Sequence, residues 1–198
     1  MVYKNGNKSK RDNGNAKSAN LDGIAEIVQL FSPEECETLI GFALNQDPES
    51  GKVFWLDGAD KNKEIRSCTQ FFMSEDRYPG LYEIIKNIFK SSNLWKLSIS
   101  SVPSVHIIRY VNGDYHLRHT DWSIDKNRRK LSMTVQLSLP EDYLGGEVVL
   151  YAGPEDASIP TEVGMATIWP AWTLNEVTPI TEGERWCLVA WAEGEAFH

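Results

Sequence analysis

Nine consecutive residues constrain this fold more than any others: Leu131, Met133, Val135, Leu137 and Leu139 alternate with Ser132, Thr134, Gln136 and Ser138. Successive side chains of an extended strand point to opposite faces, so this alternation predicts a half-buried strand, apolar on one side and polar on the other. The period of two continues on both sides. Further strands are predicted at 104–110, 115–121, 147–151, 163–169, 174–178 and 184–191, with turns at Asn112-Gly113, Gly145-Gly146, Gly153-Pro154 and Glu182-Gly183 between them.

The N-terminal half has a different periodicity. Ser32-Pro33-Glu34-Glu35 is a helix start, with a serine cap, proline at the first helical position and a glutamate that closes a capping box. Cys36, Leu39, Ile40 and Ala43 then recur at helical spacing, and a second helix from Pro79 carries Leu81, Ile84, Ile85 and Ile88 as its apolar stripe. Residues 47–60 are expected to form a loop, interrupted by Val53-Phe54-Trp55-Leu56. Helices followed by a run of about seven or eight short strands imply a mainly β fold, a double-sheet sandwich or jelly roll buttressed by the N-terminal helices.

A length of 198 residues suits one domain. We expect a leader at 1–20 and a single domain at 21–198, with helical support over 32–91 and the jelly-roll core over 95–192. The leader carries five basic side chains against Asp12, so with a net charge of −8 for the whole protein the remainder carries −12. An acidic body repels phosphate backbones, which argues against nucleic acid as a partner. The leader's Asn/Lys/Gly/Ser composition buries too little apolar surface to order itself. No segment approaches the roughly 20 apolar residues of a membrane span, and no secretion signal is expected at the N-terminus. Cys36, Cys68 and Cys187 are odd in number and form no Cys-x-x-Cys pair, which fits a reducing compartment, so a cytoplasmic protein is expected. No feature specifies an oligomer.

The chemistry concentrates at His119-Thr120-Asp121. Residues i and i+2 of a strand share a face, so the imidazole and the carboxylate converge on one point. His-x-Asp alone is a common pattern, and a carboxylate that merely orients an imidazole would produce it equally well. Its context is more specific: Arg109-Tyr110-x-x-Gly113-x-Tyr115-x-x-x-His119-x-Asp121, then Arg129-x-Leu131-Ser132, Tyr143-x-Gly145-Gly146-Glu147, Val163-Gly164, Trp169-Pro170, and Glu176-Val177-x-Pro179-Ile180-x-x-Gly183-x-Arg185. This ordered series, over about residues 104–191, closely resembles the iron(II)/2-oxoglutarate-dependent dioxygenases of the prolyl 4-hydroxylase-like branch.

The resemblance implies a double-stranded β-helix, the cupin-like jelly roll, with Fe(II) at its open mouth. His119, Asp121 and a histidine just before Glu176-Val177 would hold the iron. It implies 2-oxoglutarate and O2 as cosubstrates, with ascorbate as an optional addition. Arg185 matches the residue that pairs with the distal carboxylate of 2-oxoglutarate, and its apolar strand neighbours Cys187, Val189 and Trp191 make an unpaired cation costly. Tyr110 matches a tyrosine that hydrogen-bonds the cosubstrate. Gln136 is a further candidate for lining that pocket, the alternative being a polar face turned to solvent. His116 is expected on the strand face opposite His119, and His106 on the face of Tyr110. Trp122, Trp169 and Trp172 either line a substrate mouth or pack, and packing is the commoner role of large aromatics.

Asn175 stands where the second metal histidine belongs. An amide oxygen is a neutral, weak ligand, so metal affinity and turnover are expected to fall. Three explanations compete: a single recent or introduced change, a natural loss that left a binding protein, or completion of the coordination by a neighbouring group or water. The intact flanking residues and Arg185 favour the first. The implied activity is hydroxylation of a C–H bond in a prolyl or similar residue of a peptide or protein, or in a free amino acid. The rival is a non-catalytic jelly-roll module that binds a small carboxylate or a peptide.

Overall fold

The computed structural model describes residues 21, 23–51, 53–55, 63–153 and 156–196. The expected leader at 1–20, Leu56, Pro154 and His198 lie outside these residues. In sequence order the elements are β1 (Glu26–Gln29), α1 (Pro33–Leu44), β2 (Glu49–Ser50), β3 (Val53–Trp55), β4 (Lys63–Ser67), β5 (Thr69–Phe72), α2 (Pro79–Ser91), β6 (Val105–Val111) and β7 (Tyr115–His119). They continue with β8 (Arg129–Gln136), β9 (Tyr143–Gly145), β10 (Val148–Tyr151), β11 (Ala157–Ser158), β12 (Met165–Pro170), β13 (Leu174–Val177) and β14 (Ile180–Glu193). The larger sheet has the order β1-β12-β8-β14-β6-β5-β2, with β9 attached to β14; the smaller runs β11-β10-β13-β7-β4-β3. This is the mainly β, helix-buttressed jelly roll that the sequence pattern and the resemblance imply.

The helices begin as expected and differ in which side they bury. Ser32 and Glu35 form a reciprocal capping box, with the Glu35 N–H donating to Ser32 Oγ at 3.3 Å and the Ser32 N–H donating to Glu35 Oε2 at 2.7 Å. In α2 the buried stripe is Tyr82, Ile85 and Phe89, whereas Ile84 is exposed. The two aromatic rings lie in phase with Ile85 at i, i+3 and i+7, and burying them removes more apolar surface than burying Ile84 does. Tyr82 also accepts the Val105 N–H through its hydroxyl at 3.1 Å, which ties α2 to the start of β6.

Strand β8 is the central correction to the expected pattern. It is buried on both faces rather than one: Ser132, Thr134, Gln136 and Ser138 are as inaccessible as Leu131, Met133, Val135 and Leu137, and Leu139, past the end of the strand, is exposed. Two packed layers explain this. The apolar face joins the core that the large sheet forms with α1 and α2, alongside Cys36, Leu39, Tyr82, Ile85 and Phe89. The polar face looks into the space between the two sheets, where a second cluster gathers around Ile108, Tyr110, Leu150, Trp169 and Cys187.

Glu182-Gly183, expected to be a turn, is an irregularity within β14. That strand pairs with β9 through Ile180, Glu182 and Gly183, its register shifting between Ile180 and Glu182, and pairs with β6 from Glu184 onward. Gly183 has φ +75°, and a Cβ there would collide with the carbonyl of Asp142.

Candidate active site

Between the sheets lies a cavity of about 430 Å³. Its large-sheet wall follows from the pairing registers: Cys187 lies opposite Ile108 and Gln136, Val189 opposite His106 and Thr134, and Trp191 opposite Ser132. The small-sheet wall is built by His116 and His119 of β7 and by Asn175 and Val177 of β13. Trp169 forms part of the wall and is nearly fully buried, with its indole N–H unpartnered among the described residues. Trp172, by contrast, is exposed.

At one end of the cavity stand His119, Asp121 and Asn175. Strand β7 stops at His119, so Asp121 lies just past it and the pleat alone does not aim its carboxylate. Ser132 Oγ instead donates to Asp121 Oδ2 at 2.8 Å, and the Trp122 N–H donates to the carbonyl of Ala171 at 2.9 Å. His119 Nε2 lies 3.7 Å from Asp121 Oδ1. The other ring nitrogen, Nδ1, sits 2.8 Å from the carbonyl of Leu117 and can only donate to it, which leaves Nε2 as the ring nitrogen directed into the site. Burial pushes the Asp121 carboxyl pKa up, but His119 and the Ser132 hydrogen bond outweigh it and hold the group down at about 2. Asp121 is therefore an anion throughout the neutral range.

Asn175 is directly opposite His119 in the pairing of β13 with β7. Its amide Nδ2 donates to the carbonyls of His119 and Thr173, both at 3.2 Å. Carbonyls accept only, so these contacts fix which end of the amide is nitrogen and leave Oδ1 as the atom available to the cavity. The donor set is thus one imidazole nitrogen, one carboxylate and one amide oxygen. It suits a ferrous ion with two good ligands and one weak one, and no group of three His, Cys, Asp or Glu side chains able to hold a metal occurs among the described residues.

Arg185 occupies the deep end and is one of the largest fully buried side chains of the protein. Its Nε and Nη2 donate to Gln136 Oε1 at 3.1 and 2.9 Å, and Nη1 lies 3.6 Å from Cys187 Sγ. Tyr110, opposite Arg185 in the β6–β14 pairing, presents its ring 5.8 Å from the guanidinium carbon. The buried Tyr143 hydroxyl lies near the guanidinium, which opposes the rise that burial imposes on the phenol. Among those residues no carboxylate pairs with Arg185, so a fully buried cation faces the cavity with only neutral groups around it. Gln136 does not line the cavity itself; it reaches the site by holding the guanidinium. Ser132, which holds Asp121, and Gln136, which holds Arg185, are four residues apart on one face of β8, roughly 13 Å by the rise of a strand.

His116 corrects a strand-face expectation. Its ring stacks on that of His119, with centroids 3.6 Å apart and planes 20° from parallel, and it lines the same cavity. Pairing runs from Asn175 opposite His119 to Val177 opposite His116, so three steps on β7 match two on β13. That β-bulge turns residues of opposite parity to one face. Burial, then the charges of His119 and Arg66, push the His116 pKa down to about 2, so the ring is neutral. A bulge has no reliable signature in a single sequence, and His116 carries no motif. Ser132 does stand within the ordered series of motifs, but its bond to Asp121 joins separate segments and only the fold shows it.

The profile of the 2OG-Fe(II) oxygenase superfamily matches residues 105–193. A PKHD-type hydroxylase of Paracoccus denitrificans is 38% identical over 186 residues, covering 86% of this chain and 78% of its own length. A PKHD-type hydroxylase of a Picosynechococcus species is 26% identical over 171 residues, covering 85% of this chain and 77% of its own. Among solved structures, a Pseudomonas putida prolyl-4-hydroxylase superposes with a TM-score of 0.67 at 14% identity, over 89% of this chain and 96% of that one. A prolyl hydroxylase of Trichoplax adhaerens, solved with a hypoxia inducible factor peptide fragment, gives 0.69 at 16% identity over 87% and 85%. The last two show the fold. The profile and the Paracoccus relative show the family: the chain belongs to the 2OG-Fe(II) oxygenase superfamily, whose members use ferrous iron, 2-oxoglutarate and dioxygen.

Proposed function

We propose that this protein is a hydroxylase whose site residues are those named above, acting on a C–H bond of a prolyl or similar residue, or of an amino acid, with turnover lowered by Asn175. The observation that carries the reading is Arg185: a fully buried guanidinium without a carboxylate among the described residues, on the same cavity as an imidazole and an ionised carboxylate. Burying a cation this way is costly unless an anion joins it, and a short dicarboxylate bridges the two ends of the cavity. Arg185 would take the distal carboxylate, Gln136 would hold the guanidinium in place, and Tyr110 would close the side.

His119, Asp121 and Asn175 would hold the iron. The bound metal supplies the oxidation itself, coupled to decarboxylation of 2-oxoglutarate to succinate and carbon dioxide. The protein orients the cosubstrate, fixes the histidine tautomer through Leu117 and encloses the reacting atoms. We read Asn175 as one change in an otherwise kept frame. Its two backbone hydrogen bonds also support the second reading, a module that binds a carboxylate without turnover, because the strand pairing accommodates the amide. Cys36, Cys68 and Cys187 are free and buried, which supports a reducing, cytoplasmic setting. No helix of the described residues is long and apolar enough to cross a membrane.

Titration of 2-oxoglutarate by calorimetry, with and without Mn(II), in this protein and in Asn175→His is the test. The expected result is cosubstrate binding in both, metal affinity at least about tenfold higher in the variant, and succinate release from the variant with Fe(II). If histidine brings neither tighter metal nor succinate, the hydroxylase reading fails and the binding module remains.

A further inference from the structure

The cavity contains more positive charge than its cosubstrate neutralises. Arg66, Lys126 and Arg129 line it together with His119 and Asp121. Arg66, on β4 opposite His116, donates to two neutral acceptors, the carbonyl of Gly51 at 2.6 Å and Gln70 Oε1 at 3.0 Å. Arg129, at the start of β8, lies with its guanidinium carbon 4.2 Å from the Trp191 ring centroid, and its Nη1 donates to the backbone carbonyl of Asp121 at 3.4 Å. Lys126 ends the short 3-10 turn before β8. Burial, then the charge of Arg129, pushes the Lys126 pKa down, and Arg66 adds to the effect, so the three cations share one field.

Carboxylates offset them only in part: Asp121 and Asp125 act on Lys126, and Asp121 and Glu193 on Arg129. Among the described residues none of the three forms an ion pair, and Glu193, the acid that acts on Arg129 after Asp121, lies 3.9 Å from Arg128 instead. Among those residues Asp121 is the one carboxylate on the cavity wall, against four cations once Arg185 is counted. In the hydroxylase reading Asp121 belongs to the metal and Arg185 to the cosubstrate, which leaves Arg66, Lys126 and Arg129 without a further carboxylate on the cavity wall among the described residues. They stand out further because the body of the protein is strongly acidic. A concave site of one sign with low-dielectric walls concentrates its field on an incoming ligand of the other sign.

We infer that Arg66, Lys126 and Arg129 form a second anion subsite that receives a carboxylate of the substrate itself. The substrate class is a small carboxylic acid, such as an amino acid, rather than a prolyl residue inside a polypeptide, whose only local polar groups are amides. This inference rests on the hydroxylase reading.

The test uses the Asn175→His protein loaded with Mn(II) and 2-oxoglutarate, titrated with free L-amino acids and N-acetyl-L-proline, each against its carboxamide. The free and N-acetylated acids separate an amino acid from the C-terminus of a peptide as the source of the carboxylate. At least one acid is expected to bind at least about tenfold tighter than its amide. In Arg66→Gln/Lys126→Gln that preference should fall below about twofold while 2-oxoglutarate affinity stays within about twofold, which also reports an intact fold. Acids and amides that bind alike, a panel in which no acid binds, or a preference that survives in the double variant overturns the subsite. Failure of 2-oxoglutarate to bind at all instead overturns the hydroxylase reading, and the subsite with it.

Discussion

On the helix-facing side of the large sheet, Leu131, Met133, Val135 and Leu188 pack against residues of α1 and α2; on the side facing the small sheet, Ser132, Thr134, Gln136 and Arg185 are equally buried among Ile108, Cys187 and Val189. The same strands supply both sets, residue by residue. One side excludes water by filling space. The other excludes water while keeping donors and charges aimed at a cavity, at a cost in free energy that the apolar side offsets. Stability and binding are therefore separable by parity along a single strand.

The largest effect belongs to the apolar face. Leu188→Ala leaves a cavity in the core and is expected to lower unfolding free energy by about 2–5 kcal/mol in urea titrations, with 2-oxoglutarate affinity changed by less than about twofold. A comparable loss of affinity would show that the faces are not separable. On the same strand but in the opposite phase, Arg185→Met should reverse the pattern. It removes a buried charge lacking a carboxylate, so calorimetry should show a loss of about a hundredfold or more in 2-oxoglutarate affinity, while the unfolding free energy holds or rises. A destabilised protein with unchanged affinity would make Arg185 a structural cation.

The smallest effect is the pH dependence contributed by His116. Its folded pKa lies below its unfolded value, so the folded state binds fewer protons; its contribution to stability is present above the ordinary imidazole range and is lost as pH falls through about 6.5 towards about 2. His116→Phe keeps an aromatic ring against His119 and should reduce the loss between about pH 6 and about pH 4 by roughly 1 kcal/mol per pH unit. His106, also lowered by burial, acts in the same direction and keeps part of the slope in the variant. An unchanged slope would show that His116 is solvated, sharpening where the dry part of the cavity begins.

How much of the molecule is legible in its sequence depends on the range of the interaction. The capping box at Ser32 and Glu35 is a contact across three residues, and it forms as expected. The alternation at 131–139 correctly marks a strand but not its environment, because alternation reports polarity and cannot distinguish water from a polar cavity. The buried stripe of α2 lies on a neighbouring face from the expected one, since the spacing of Leu and Ile leaves out the rings of Tyr82 and Phe89. For the site, His119, Asp121, Asn175 and Arg185 follow from ordered motifs, and the structure brings all four to one cavity. Gln136, expected to line the pocket, instead holds Arg185. Arg129 stands within the ordered motifs without a role attached, and His116, Arg66 and Lys126 have no local signal as site residues, because a bulge and cross-sheet packing bring them there.

Caps, alternation and motif order are properties of neighbours along the backbone, so the main elements, the family and the asparagine at position 175 are legible without any structure. Only the tertiary structure decided which polar face is dry, which imidazole stacks on His119, and that four cations share a cavity with one carboxylate among the described residues. Those facts depend on strand register and on the stacking of two sheets, where residues far apart in sequence set one another's solvation and charge.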